Sequence, residues 1–135
     1  MWALVACLYY ATTMKFTPDS SHGNVIQSFT PGEIRLRDQI IHSNVIISHD
    51  QLLTDWNPPA LDALSIADFQ LALDLQPDII LFGTGRKQRF PSMALMTEIM
   101  RAGVAIEVMQ TDAACRTFNV LIGEYRAVVA ALLID

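Results

Sequence analysis

The rhythm of apolar positions changes partway along this chain. Between residues 25 and 47, Val25-Ile26 and Phe29 precede Thr30-Pro31-Gly32-Glu33; Ile34 and Leu36 then alternate with Arg35 and Arg37, and Val45-Ile46-Ile47 follows. Short runs and period-two alternation predict half-buried strands. Pro31 presets the first central turn position and Gly32 allows positive φ at the second, so the first two strands are expected to pair as a hairpin. Asn57-Pro58-Pro59 interrupts the pattern, and the spacing beyond it is helical. Ser65 precedes Ile66, Phe69 and Leu73, with Asp68 at the acidic position of a capping box, which predicts a helix ending before Pro77.

From residue 79 onward, strands and helices alternate. Strands are expected at 79–82, 104–109 and about 126–134, with helices at about 92–101 and 112–122. Gly103 and Gly123 suit left-handed caps at the two helix ends. The stripe Met93, Met96, Ile99 and Met100 is expected to face a sheet, as are Ala114, Phe118, Leu121 and Ile122. Val128 to Leu133 is nearly continuous in apolar character, as in a strand covered on both faces. The predicted fold class is α/β: a single three-layer domain with a mixed central β-sheet, a hairpin-rich N-terminal half and an alternating β-α-β C-terminal half.

A chain of 135 residues, 52% hydrophobic and 17% charged, suits one well-filled domain and excludes intrinsic disorder. Its net charge of −5 argues against nucleic-acid binding, which needs a basic face. Cys7 and Cys115 are too few for a disulfide framework and lack zinc spacing, so a reducing, cytoplasmic location is the default expectation. Residues 1–13 raise the question of a signal or anchor. No Lys or Arg precedes their apolar run, which is shorter than the ~20 residues of a spanning helix. Leu4-Val5-Ala6-Cys7 resembles a lipobox without the preceding regions that such a signal requires. The reading adopted is a non-native or disordered extension at 1–13, a start at Met14, and a single domain over 14–135.

Charge is most concentrated in the loop 83–91, where Arg86, Lys87 and Arg89 account for three of nine Lys and Arg residues. Strands 79–82 and 104–109 are expected to be parallel, joined by a right-handed crossover. Their following loops then emerge at one sheet edge, bringing Gly83, Gly85, Arg86, Lys87, Gln88 and Arg89 toward Thr111, Asp112, Cys115 and Arg116, with Thr84 and Phe90 of the same loop also candidate binding residues. Glycine N–H groups, Arg forks and a helix N-terminus could together receive a carboxylate or phosphate. Against that reading, Gly83-Thr84-Gly85 lacks the third glycine of a dinucleotide fingerprint and the Gly-Lys-Ser/Thr ending of a P-loop. No nucleotide cofactor is therefore expected, and the glycines could equally serve a tight turn beneath solvated cations. Phe90 is read as an anchor of the loop to the core, and Pro91 as a helix start.

Complete catalytic machinery is not visible. Cys115 beside Arg116 near a helix N-terminus could be an activated thiol. It also shares a helix face with Thr111, Phe118 and Ile122, which makes it a candidate core residue. His22, His42 and His49 are too dispersed to serve as its base or as metal ligands, and no metal site is expected. Asp112 and Arg116 form a candidate structural ion pair.

Gly83-Thr84-Gly85, then Gln88-Arg89-Phe90-Pro91, then Thr111-Asp112-Ala113-Ala114-Cys115-Arg116-Thr117-Phe118-Asn119 resemble, in that order, a family of small, largely uncharacterised bacterial and archaeal domains. A mitochondrial relative of that family is an assembly factor for respiratory complex I. The resemblance spans roughly residues 14–134. It implies a three-layer α/β domain without established catalysis, and a motif surface comprising Gly83, Gly85, Gln88, Arg89, Cys115, Arg116 and Asn119. Two functions follow as expectations. One is an interaction or assembly factor whose cationic loop docks an acidic protein partner, such as a membrane-complex subunit or another assembly factor. The other is a small enzyme or anionic-metabolite-binding domain with a pocket between loop 83–91 and the helix after Thr111. The apolar composition is compatible with a homodimer.

Overall fold

The computed structural model describes residues 23–135. The expectations for residues 1–13, a start at Met14, Cys7 and His22 lie outside the described residues. Among the described residues, eight strands divide between two sheets. Strands β1 (Ile26–Thr30), β2 (Glu33–Leu36) and β3 (Ile40–Ile41) form an antiparallel sheet of their own. The other five are β4 (Val45–Ser48), β5 (Leu52–Thr54), β6 (Ile79–Thr84), β7 (Ala105–Met109) and β8 (Val128–Leu133), arranged β5-β4-β8-β6-β7. β6 runs parallel to both β7 and β8, whereas β4 is antiparallel to β5 and β8, so the larger sheet is mixed.

The β1–β2 hairpin forms as its turn chemistry predicts, with Thr30 opposite Glu33 and Gly32 at φ +86°. Ile34 and Leu36 are buried while Arg35 is exposed, which is the alternation read from the sequence. Two short strands, β3 and β5, were not expected.

The larger sheet buries both faces, and alternation along β8 sorts its side chains between them. Ala130 and Leu132 join Leu81, Ile47 and the small sheet's Ile26 and Ile34 beneath helix α3 (Thr111–Gly123), which contributes Ala114, Cys115 and Phe118. Val129 and Ala131 face the other way, toward Ile80, Phe82, Trp56 and Phe69 and toward Leu95 and Ile99 of helix α2 (Met93–Arg101). Trp56, Phe69 and Phe82 meet edge to face, with ring centroids 5.2–6.2 Å apart.

Several local expectations need correction. The segment after Ser65 is a 3-10 turn, Ile66–Phe69, followed by one α-helical turn, α1 (Gln70–Leu73), and not a full helix. Its capping box does form, and the Ser65 N–H donates to the Asp68 carboxylate at 2.8 Å. α2 turns Leu95 and Ile99 inward, leaving Met93 and Met100 72% and 51% exposed; Met96 is half-buried. Gly103 takes the left-handed conformation at φ +88°, but Gly123 remains helical and Tyr125 carries the positive φ instead. Pro91 is buried ahead of α2, whose cap is Ser92: its hydroxyl accepts the Leu95 N–H at 3.1 Å.

Candidate functional site

Because β6 and β7 are parallel, the loop after β6 and the start of α3 meet at the same sheet edge. Two threonines fix the contact. The Thr111 hydroxyl, fully buried, accepts the Gly85 N–H at 2.8 Å and donates to the Leu133 carbonyl at 2.6 Å, linking β6, α3 and β8. Gly85 answers with its carbonyl, which accepts the Thr111 N–H at 3.0 Å. Thr84 folds the loop back on itself: its hydroxyl donates to the Lys87 carbonyl at 2.6 Å and accepts the Arg89 N–H at 3.2 Å.

The glycines serve this close approach. A Cβ on Gly83 would lie 2.9 Å from Thr111 Oγ1 and 3.0 Å from Leu132 Cδ2, inside contact distance. Gly85 sits at φ +91°, and a Cβ there would meet the Asp135 backbone oxygen at 2.9 Å. Thr111 is thus packed directly against the loop's two glycines.

What the loop presents outward is cationic. Gly83, Thr84 and Gly85 are buried, whereas residues 86–90 are all exposed. Phe90 is 63% exposed and does not anchor the loop; buried Pro91 takes that place. The Gln88 side-chain amide donates to the Val108 carbonyl at 3.1 Å. In β7 the Ala105 N–H bonds the Asp78 carbonyl, so Ile106 and Val108 direct their backbone groups away from β6. Gln88 therefore caps part of an open sheet edge. Among the described residues the ion pairs are Arg35–Glu33 and Arg116–Asp112, and neither involves Arg86, Lys87 or Arg89.

The remaining predicted positions lie farther along α3. Cys115 is 4% exposed, and burial, reinforced by the nearby Asp112 carboxylate, pushes its thiol up to about 12 against the weaker opposing pull of Arg116. A thiol so hard to ionise is a core residue and not an activated nucleophile. Arg116 is exposed, pairing with Asp112 at 3.6 Å across one helical turn. Asn119 braces the small sheet: its Oδ1 accepts the Ile26 N–H at 3.0 Å and its Nδ2 donates to the Ile26 carbonyl at 2.7 Å. Sequence reasoning placed Asn119 on a motif surface without seeing this role, which needed the 93-residue separation to be closed by the fold.

No group of His, Cys, Asp or Glu suited to a metal occurs among the described residues. Nor, among them, is any helix long and apolar enough to cross a membrane. A cavity of about 290 Å³ lies elsewhere, lined by Gly23, Asn24, Val25 and residues 36–39. It includes none of the predicted site residues.

Residues 26–133 match the family described as protein of unknown function (DUF498/DUF598). The chain belongs to that family. Among the proteins this chain resembles, the "13 kDa major membrane protein" of Francisella tularensis subsp. holarctica (strain LVS) is 35% identical over 91 residues, covering 66% of this chain and 73% of that protein. A Danio rerio protein named NADH dehydrogenase [ubiquinone] 1 alpha subcomplex assembly factor 3 is 28% identical over 117 residues, covering 85% of this chain and 67% of the relative. The NMR structure of a Xanthomonas campestris protein superposes with a TM-score of 0.75 at 32% identity, covering 89% of each chain. The family resemblance read from the motifs, with assembly factors among the relatives, is thereby shown.

Proposed function

We propose that this chain is an interaction factor in the assembly of a membrane-bound respiratory complex and docks an acidic partner through loop 83–91. The observation that carries the reading is the loop itself. Gly83, Thr84, Gly85 and Thr111 form a buried hydrogen-bonded base from which Arg86, Lys87 and Arg89 emerge without carboxylate partners among the described residues. A rigid base lowers the ordering cost of binding, and unpaired cations steer association with an acidic surface. In this reading Arg86, Gln88, Arg89 and Phe90 make contact, while Cys115 and Asn119 brace α3 from within and Arg116 lies on its exposed side. Relatives named as assembly factors support the same role.

The outward exposure of residues 86–90 favours a docking face over the metabolite pocket also expected from sequence. Affinity purification from gently solubilised source cells tests the proposal by comparing wild type with a folded Arg86→Ala, Arg89→Ala variant. Recovery of respiratory-complex subunits with the wild type, and their loss with the variant, is the expected result. Equal recoveries would contradict it.

A further inference from the structure

Strand β7 is an edge of the five-stranded sheet. Ile106 and Val108 direct their N–H and C=O groups to its free side, where Gln88 holds the Val108 carbonyl at 3.1 Å. The side chains of Ile106 and Val108 share one core with Leu95 and Ile99, so α2 lies on that face of the sheet. In the right-handed sense that a crossover takes, helical rotation from Leu95 and Ile99 brings Met96 and Met100 round to the flank above the free side of β7, with Met93 beside them. The same rotation sends Glu98 and Arg101 to the opposite flank. Met93 and Met100 are exposed and Met96 is half-buried. An open strand edge thus runs beneath an uncharged methionine flank. From this juxtaposition we propose that the chain pairs with a second copy of itself about a two-fold axis at Ile106, joining β7 to β7 in antiparallel and packing α2 against α2.

Spacing and register fit a second copy. A helix seated over two adjacent strands lies about one strand spacing, ~4.8 Å, from such an axis, so the two helices stand about 10 Å apart, a distance at which helices pack. Methionine meets methionine there, and its flexible thioether chain adapts to a like surface. Pairing centred on Glu107 would set carboxylate opposite carboxylate and would need the Val108 carbonyl that Gln88 already holds. Pairing centred on Ile106 exchanges both Ile106 hydrogen bonds, leaves Gln88 in place and sets the exposed Ala105 opposite Glu107 of the second copy. A foreign strand on this edge would have to bring its own apolar cover for the methionines. The two-fold supplies strand and cover from one surface and closes both edges at once. The cationic loops fall at opposite ends of the joined sheet, so this contact is independent of what loop 83–91 docks.

Sedimentation equilibrium of the full chain over about 1–100 µM measures the association. A reversible dimer is expected, weakened at least tenfold by Met100→Lys, a change at an exposed position that should leave circular dichroism unchanged. Charge at residue 105 reads the register. Ala105→Glu, facing Glu107 of the second copy, should weaken the dimer about three- to tenfold, and Ala105→Lys should strengthen it by a similar factor. A chain that stays monomeric at the highest concentration, a dimer indifferent to Met100→Lys, or Ala105 variants that shift it in one direction or not at all would overturn the inference. A monomeric chain that captures a cellular partner and loses it on Met100→Lys would also overturn it, identifying a foreign strand at this edge. A dimer that persists in the Arg86→Ala, Arg89→Ala variant would sustain the contact and show it to be separate from the docking loop.

Discussion

Asn119 on α3 satisfies both backbone polar groups of Ile26 on β1, taking the N–H on its carbonyl oxygen and giving its amide to the carbonyl. A side-chain amide here does what a neighbouring strand would do, and it holds the small sheet against α3. Replacing it with Leu should cost about 1–3 kcal/mol, because a part-buried donor and acceptor lose their partner together. Urea unfolding measures this; a loss no larger than that of an exposed α3 substitution would show that the bonds contribute little.

Close approach of β6 to α3 depends on the absence of a side chain at Gly83. Gly83→Ala places a methyl 2.9 Å from Thr111 Oγ1 and 3.0 Å from the Thr111 Cα. Overpacking of this kind costs about 1–3 kcal/mol. A Gly83→Ala protein as stable as wild type in thermal unfolding would refute the close packing described.

The C-terminal end of α3 gives the opposite sign. Gly123 is helical with nothing within 4 Å of a built Cβ, so Gly123→Ala should stabilise by about 0.5–1 kcal/mol. Tyr125, 96% exposed at φ 60°, should likewise gain from replacement by Gly. Calorimetric midpoints that fall for both variants would place the helix end elsewhere.

Burial of the Cys115 thiol carries a pH dependence. Its folded pKa of about 12 lies above the ordinary thiol value of 9.0, so the unfolded chain loses this proton first as pH rises. The stabilising contribution is complete below pH 9 and declines between about 9 and 12, with a limiting slope of about 1.4 kcal/mol per pH unit. Cys115→Ala should therefore show a flatter decline in stability over pH 9 to 10.5 than wild type. Parallel profiles would mean that the thiol ionises readily in the folded state.

Much of this architecture was legible because local chemistry and fold agree. The Pro31-Gly32 turn, the alternation through Leu36 and the parallel crossover from β6 to β7 each follow from residues close in sequence. That crossover alone foretold that Thr111 would meet the loop. What stayed hidden depends on competition between faces or on distance. Met93, Leu95, Met96, Ile99 and Met100 wrap much of α2 in apolar side chains, and only packing against Phe82 and Phe69 selects Leu95 and Ile99 for the core. Strands β3 and β5, of two and three residues, carry too little pattern to register. Phe90 looked like an anchor by its chemistry; Pro91 beside it is buried instead. The residues proposed to dock are recognisable as a charge cluster, but a partner leaves no pattern in a single chain.

The most direct measurement of the docking claim is native electrophoresis of respiratory complexes from source cells that lack this protein, complemented with wild type or with the Arg86→Ala, Arg89→Ala variant at equal abundance. Wild type should restore the mature complex, and the loop variant should leave assembly intermediates. Full restoration by the variant, or normal complexes in the absence of the protein, would contradict the proposal.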